Sequence, residues 1–150
     1  GLTIAEDGTI YEHEHGPRGG DEVNIIKAGQ NYGWPITTHG LDYNGAYVSP
    51  FKERDGIEPA VHIWVPSIAP SGLAIYEGNA FPAWNNSLFV GALVNNDVRR
   101  LTLEDGAIVA EEILFKELNQ RIRDIRVSPE GMLYVITDGP DGQVVRVSPE

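Results

Sequence analysis

The feature that most constrains this chain is a unit that occurs three times: a short β-rich run, a tight turn containing glycine, and a second β-rich run with an aromatic near its centre. Gly1 to Tyr11 is one copy, with Asp7-Gly8 as its turn. Gly72-Leu-Ala-Ile-Tyr-Glu-Gly opens a second, which reaches Ser87-Leu-Phe-Val-Gly91 after a longer insert. Asp124 to Val135 is the third. Val98–Leu103 and Ile108–Ile113 flank a further Asp105-Gly106 turn, and Val144–Val147 closes the series. The spacing of the copies is irregular, yet three copies of one supersecondary unit point to a repeat architecture. Short antiparallel strands joined by glycine-rich turns predict an all-β fold made of β-propeller blades, with a sandwich as the alternative. Three units amount to about half of a closed ring. Lys27 to Pro70 is the least regular stretch, rich in isolated prolines, and reads as a loop-rich insertion rather than a domain boundary.

Bulk properties narrow the function class. With 150 residues the chain is long enough for one domain with a buried core. A net charge of −11 excludes a phosphate backbone as partner, which needs a basic face, but is compatible with a divalent cation. There are no cysteines, so thiolate metal sites and disulfides are excluded. No apolar run approaches the roughly 18 residues of a membrane span, and the first residues carry neither the basic nor the apolar segment of a signal peptide. There is no Gly-x-Ser-x-Gly elbow and no phosphate-cradling glycine motif.

Two stretches carry chemistry. The first is Glu12-His-Glu-His-Gly-Pro-Arg-Gly-Gly-Asp-Glu22. On a strand His13 and His15 point to one face. Two histidines are too few for a transition-metal site, and no third lies near in sequence. Gly16-Pro17 ends the strand and Gly19-Gly20 permits a tight return, so backbone carbonyls are exposed that no ladder uses, and calcium takes such oxygens readily. A solvated polar turn is the competing reading. The second stretch is Arg121-Ile122-Arg123-Asp124. Its two guanidiniums share a strand face, which is unfavourable unless an anion lies near. Asp124 points the other way, so the pair fits either a ligand with several carboxylates or acidic neighbours elsewhere in the chain.

Taken in order, Glu14 to Asn24, Asn31-Tyr-Gly-Trp-Pro35, Pro66 to Gly72, Leu88 to Leu93 and Arg121 to Asp124 resemble the soluble, pyrroloquinoline-quinone (PQQ)-dependent aldose sugar dehydrogenases of the glucose/sorbosone dehydrogenase family. The resemblance covers essentially the whole chain. It implies about three blades of a six-bladed propeller, with residues 1–150 as the C-terminal half of the domain. It further implies PQQ and calcium as cofactors, an aldose as substrate, and a periplasmic or secreted location. The carbonyls of Gly16 and Pro17 would ligate calcium, with His15 beside it, and Arg121 and Arg123 would hold PQQ carboxylates. Asp42 is the nearest carboxylate to a second, structural calcium. Trp64 to Ser67 matches a loop at the sugar entrance. The general base of the family matches none of His13, His15, His39 or His62, and the Arg-Asn pair that contacts the cofactor would precede Gly1. No catalytic residue is therefore expected in this chain, and a homodimer that completes a propeller is the alternative to a portion of an enzyme.

Overall fold

The computed structural model describes residues 1–149, and in it the sequence folds into three antiparallel sheets. The first holds β1 (Leu2–Ile4), β2 (Ile10–Glu14), β3 (Asp21–Ile25) and β4 (His62–Trp64) in consecutive order. The second holds β5 (Pro70–Tyr76), β6 (Ser87–Ala92), β7 (Asp97–Glu104) and β8 (Ala107–Leu114), again consecutive. The third holds β9 (Arg121–Val127), β10 (Leu133–Asp138) and β11 (Val144–Val147). Each sheet is a meander in which consecutive strands pair, and the two-residue Asp105-Gly106 turn joins β7 to β8. The three strand–turn–strand units read from the sequence each fall within one sheet, and the fold is all-β as expected.

One expectation needs correction. The segment from Lys27 to Pro70 is not loop throughout, because His62-Ile63-Trp64 pairs with β3 as the outer strand of the first sheet. Three residues bounded by prolines leave too little alternation to announce a strand. The rest of the segment is an excursion fastened to the first sheet. Tyr32 donates its hydroxyl to the Ile25 carbonyl at 3.2 Å, and the Glu58 N–H reaches the Asn31 carbonyl at 2.8 Å.

Alternation sorts each sheet into two faces. Tyr11, His13, Val23 and Trp64 of the first sheet turn toward the second, where Tyr11, Val23 and Trp64 share a core with Leu73, Leu88, Val90 and Leu101. A second core, between the second and third sheets, joins Tyr76, Phe89 and Val98 to Ile122, Ile125, Leu133 and Val135. The sheets thus stack face to face in chain order, as propeller blades do. The two outermost faces stay open: Leu2 and Ile4 are 59% and 58% exposed on the first sheet, and Val144 is 69% exposed on the third.

Candidate functional site

The turn after β2 is shaped by crowded glycines. A Cβ on Gly16 would lie 2.0 Å from the Gly19 carbonyl oxygen, and one on Gly20, whose φ is +76°, would lie 2.5 Å from the Gly40 nitrogen. No side chain fits at either position, so the turn folds back on itself and brings the excursion against it. The Arg18 N–H and carbonyl pair with Leu41. Among the described residues the Gly16 and Pro17 carbonyls accept no hydrogen bond, as expected for oxygens left free for another partner.

Asp21, the first residue of β3, anchors this turn. Its Oδ1 accepts the Gly16 N–H at 2.9 Å. Its Oδ2 accepts the Ser67 hydroxyl at 2.7 Å, the Ile68 N–H at 2.8 Å and the Ala69 N–H at 3.1 Å. One carboxylate, fully buried, therefore clamps the Gly16–Pro17 turn to the connection between β4 and β5. Sequence reasoning treated Asp21 only as one more polar residue of the turn. Its partners lie 46 to 48 positions away, and no local pattern marks them.

The two histidines of the opening stretch are engaged separately. His13 is buried, and the Gly1 nitrogen lies 3.2 Å from its Nδ1 and 3.1 Å from its carbonyl oxygen. Burial, the largest cause, lowers the His13 imidazole to about 4, so the ring is neutral at physiological pH. His15 is exposed and its Nε2 hydrogen-bonds the Pro70 carbonyl. Pro70 and Ser71, at the start of β5, also reach the other stretch: Ser71 donates its hydroxyl to the Ile122 carbonyl at 2.6 Å, between Arg121 and Arg123. Two consecutive residues at the start of β5 thus touch both stretches, Pro70 through His15 and Ser71 through the backbone between the paired arginines.

The anion beside the arginines is Asp138. A bulge in β9 near Arg123 lets both guanidiniums reach it: Arg121 Nε donates to Asp138 Oδ2 at 3.2 Å and Arg123 Nη2 to the same oxygen at 2.7 Å. The hydrogen bond from Arg123 holds the Asp138 carboxyl below the usual carboxylate range. Asp124 pairs with Arg126 at 3.0 Å instead. Asp138 pairs across the sheet with Arg121, a register the sequence reading did not extend to β10. One carboxylate against two guanidiniums leaves a net positive charge, and both arginine side chains are about half exposed.

Asp42 stands apart from this arrangement. Its Oδ1 accepts the Tyr43 N–H at 2.6 Å within a turn of the excursion. Among the described residues no group of three or more His, Asp or Glu side chains is placed to hold a metal ion. A cavity of about 300 Å3 is lined by Glu22, Tyr32, His39, Lys52, Arg54 and Glu58 among others, and none of the expected site residues lines it.

The comparisons decide the family. Residues 1–146 match the family described as Glucose / Sorbosone dehydrogenase. The chain belongs to the glucose/sorbosone dehydrogenase family. It is 42% identical over 142 residues to the aldose sugar dehydrogenase YliI of Escherichia coli, covering 93% of this chain and 38% of that protein. It is 25% identical over 193 residues to the quinoprotein glucose dehydrogenase B of Acinetobacter calcoaceticus, covering 92% of this chain and 40% of that protein. A crystal structure of a glucose dehydrogenase superposes with a TM-score of 0.95 at 45% identity, over 99% of this chain and 44% of that one. The chain therefore spans about two-fifths of the relatives it matches, and its three sheets are blades of their β-propeller. No helix in the described residues is long and apolar enough to cross a membrane.

Proposed function

We propose that this chain is the C-terminal half of a quinoprotein aldose sugar dehydrogenase and carries one wall of the cofactor cradle. The observation that carries the reading is that Pro70 and Ser71 touch both stretches, through His15 beside the Gly16–Pro17 turn and through Ile122 between Arg121 and Arg123. The residues fit the groups the family implies. Two carbonyls without hydrogen-bond partners suit a hard cation, and a guanidinium pair only half neutralised by Asp138 suits a polycarboxylate such as PQQ. PQQ, when bound, supplies the quinone that accepts hydride from C1 of an aldose. Gly16 and Pro17 would hold calcium with His15 beside it, and Arg121 and Arg123 would bind and orient the PQQ carboxylates. Asp138 holds the two guanidiniums together, so that they present one surface rather than repel each other. Asp42 would serve a second calcium on the excursion. The chain supplies no general base: His13 is buried in the seam between the first and second sheets, and His62 lies against Glu111. It is therefore inactive alone, in a protein that works in the periplasm or outside the cell.

The test adds PQQ, calcium, an aldose and a dye acceptor to the isolated chain. PQQ binding that Arg121→Ala and Arg123→Ala each weaken, without turnover, is the expected outcome. Sustained turnover refutes the inactivity, and an absence of PQQ binding refutes the cradle.

One observation favours a second reading, a homodimer that closes a ring. The open face of the first sheet carries Glu12 and Glu14 beside Leu2, Ile4 and Ile10, by the register of its strands. That of the third carries Arg126 and Arg146 beside Tyr134, Ile136 and Val144. The charges are opposite and the apolar residues exposed, so the two faces of two copies complement each other. Sedimentation at micromolar concentration separates the readings: a monomer rules the ring out, and a dimer that Glu12→Arg dissociates supports it.

A further inference from the structure

Asp21 is a buried carboxylate that no cation among the described residues balances. All four of its hydrogen-bond partners are donors, namely the Gly16, Ile68 and Ala69 N–H groups and the Ser67 hydroxyl, so its side chain acts purely as an acceptor, as a carboxylate does. All four are neutral. Among the described residues no Lys, Arg or His pairs with it, although nine ion pairs form elsewhere. A fully buried carboxylate without a cation carries a desolvation cost that neutral donors offset only in part. The charge strengthens the four bonds of the clamp, but nothing among the described residues balances it.

The charge sits beside a feature that does. The turn it clamps presents the Gly16 and Pro17 carbonyls, which are neutral ligands and give a divalent cation no net charge to pair with. Asp21 is bonded to the N–H of Gly16, the residue whose own carbonyl accepts no hydrogen bond, so it fixes the backbone of that residue and places a full negative charge close to it. Through Oδ2 it ties the same unit to Ile68 and Ala69, and the carbonyls of those two accept the Val94 and Leu93 N–H groups at 3.1 Å each.

We infer that Asp21 is the positioning and charge-compensating residue of a cation site at the Gly16–Pro17 turn: it holds the carbonyls in place and supplies the negative charge that neutral ligands lack. The inference rests on the reading of that turn as a calcium site. It assigns Asp21 no contact with the ion. Partners of this kind, one bond behind the ligands, typically change metal affinity by about 10–100-fold when removed.

Calorimetric titration of the full chain with calcium chloride in the presence of PQQ tests it, on the wild type, Asp21→Asn and Glu14→Gln. Asp21→Asn keeps the size, removes the charge and replaces one acceptor oxygen with an NH2 donor, so it acts on both roles at once. Glu14→Gln removes an equal charge from the open face of the same sheet and controls for the overall field of the protein, which salt screens. The expected result is calcium affinity lowered at least about tenfold by Asp21→Asn and less than about threefold by Glu14→Gln. Equal affinity for wild type and Asp21→Asn overturns the inference while leaving the calcium reading intact, and so does an equal loss in both variants. A wild type that takes up no calcium overturns both. If Asp21→Asn does not fold, hydrogen exchange on the wild type decides. Calcium that slows exchange at the Ile68 and Ala69 N–H groups, which touch the turn only through Asp21, supports the coupling, and unchanged rates there refute it.

Discussion

The seam between the first and second sheets is threaded with charge, whereas the seam between the second and third is almost entirely aromatic and aliphatic. In the first, Trp64 donates its indole N–H to Glu111 Oε1 at 3.0 Å, Arg99 donates to the same oxygen at 2.8 Å, and His62 lies 3.4 Å from Oε2. Arg99 is also bonded to the buried Asp97 at 2.8 Å. In the second, Phe81 stacks on Trp84 at 4.3 Å, Trp84 meets Phe89 at 5.3 Å and Phe115 at 6.4 Å, and Tyr76 lies edge-on to three of these rings. The polar links there come from hydroxyls: Tyr76 donates to the Gly131 carbonyl and accepts the Phe81 N–H, both at 2.9 Å, and Ser71 donates to the Ile122 carbonyl at 2.6 Å. The difference teaches where each kind of interaction is useful. Burial of rings gives stability without direction. Buried charge gives direction, because each donor fixes its acceptor in place. The first sheet carries the proposed cation turn, and it is the sheet that needs direction.

The strongest way to break the comparison is to remove a ring from the aromatic seam. Phe89 is fully buried, and truncation to alanine removes contacts to both Tyr76 and Trp84. Phe89→Ala is expected to cost about 3–5 kcal/mol in urea unfolding. A loss below about 1 kcal/mol, the range of surface changes, would show that this seam is not the main source of stability.

That seam was largely legible in the sequence, and the polar one was not. Leu88-Phe89-Val90 and Leu133-Tyr134-Val135 announce strands through alternation and β-branched or aromatic residues, and turn dipeptides such as Asp105-Gly106 set the hairpins. Of the two stretches singled out in the sequence, His15 of the first lies against Pro70 and Ile122 of the second against Ser71. What stayed hidden were partners from distant strands. Asp138 answers Arg121 because β10 folds back on β9, and Glu111 answers Trp64 across 47 positions and two sheets. Apolar periodicity is local, whereas a charge network is defined only by the tertiary fold. The short strand His62–Trp64 stayed hidden for the opposite reason, being too brief to show any period.

The next test concerns charge on the other face of the first sheet. Burial first, then repulsion from Glu14 and Glu12, pushes the Glu22 carboxyl up to about 7 from 4.5, despite a bond from Asn24. A carboxyl raised in the folded state favours folding while it is protonated. The stability it permits is fully present below about pH 4.5 and falls away as pH rises through 7, by about 2–3 kcal/mol. Glu22→Gln is expected to match the wild type near pH 4 and to exceed it by that amount at pH 8. Parallel urea curves for the two proteins across this range would sink the expectation.

The finest test compares two pairs made by consecutive arginines of β7. Arg99 and Arg100 each bind a glutamate of β8, at 2.8 Å in both cases, but they point to opposite faces. Arg99 is 10% exposed within the polar seam, where Glu111 also receives the Trp64 indole. Burial pulls the Glu111 carboxyl upward, yet the bonds from Trp64 and Arg99 outweigh it and hold the group below its usual range. Replacing Glu111 by glutamine leaves an arginine nearly buried with half its partners gone, at an expected cost of about 1–3 kcal/mol. Glu112 is 51% exposed and binds Arg100 at the surface. Glu112→Gln is expected to change stability by less than about 0.5 kcal/mol, and that small effect should shrink further in salt. If the two substitutions prove equal, the polar seam owes nothing to its burial, and the contrast between the seams reduces to the aromatic one alone.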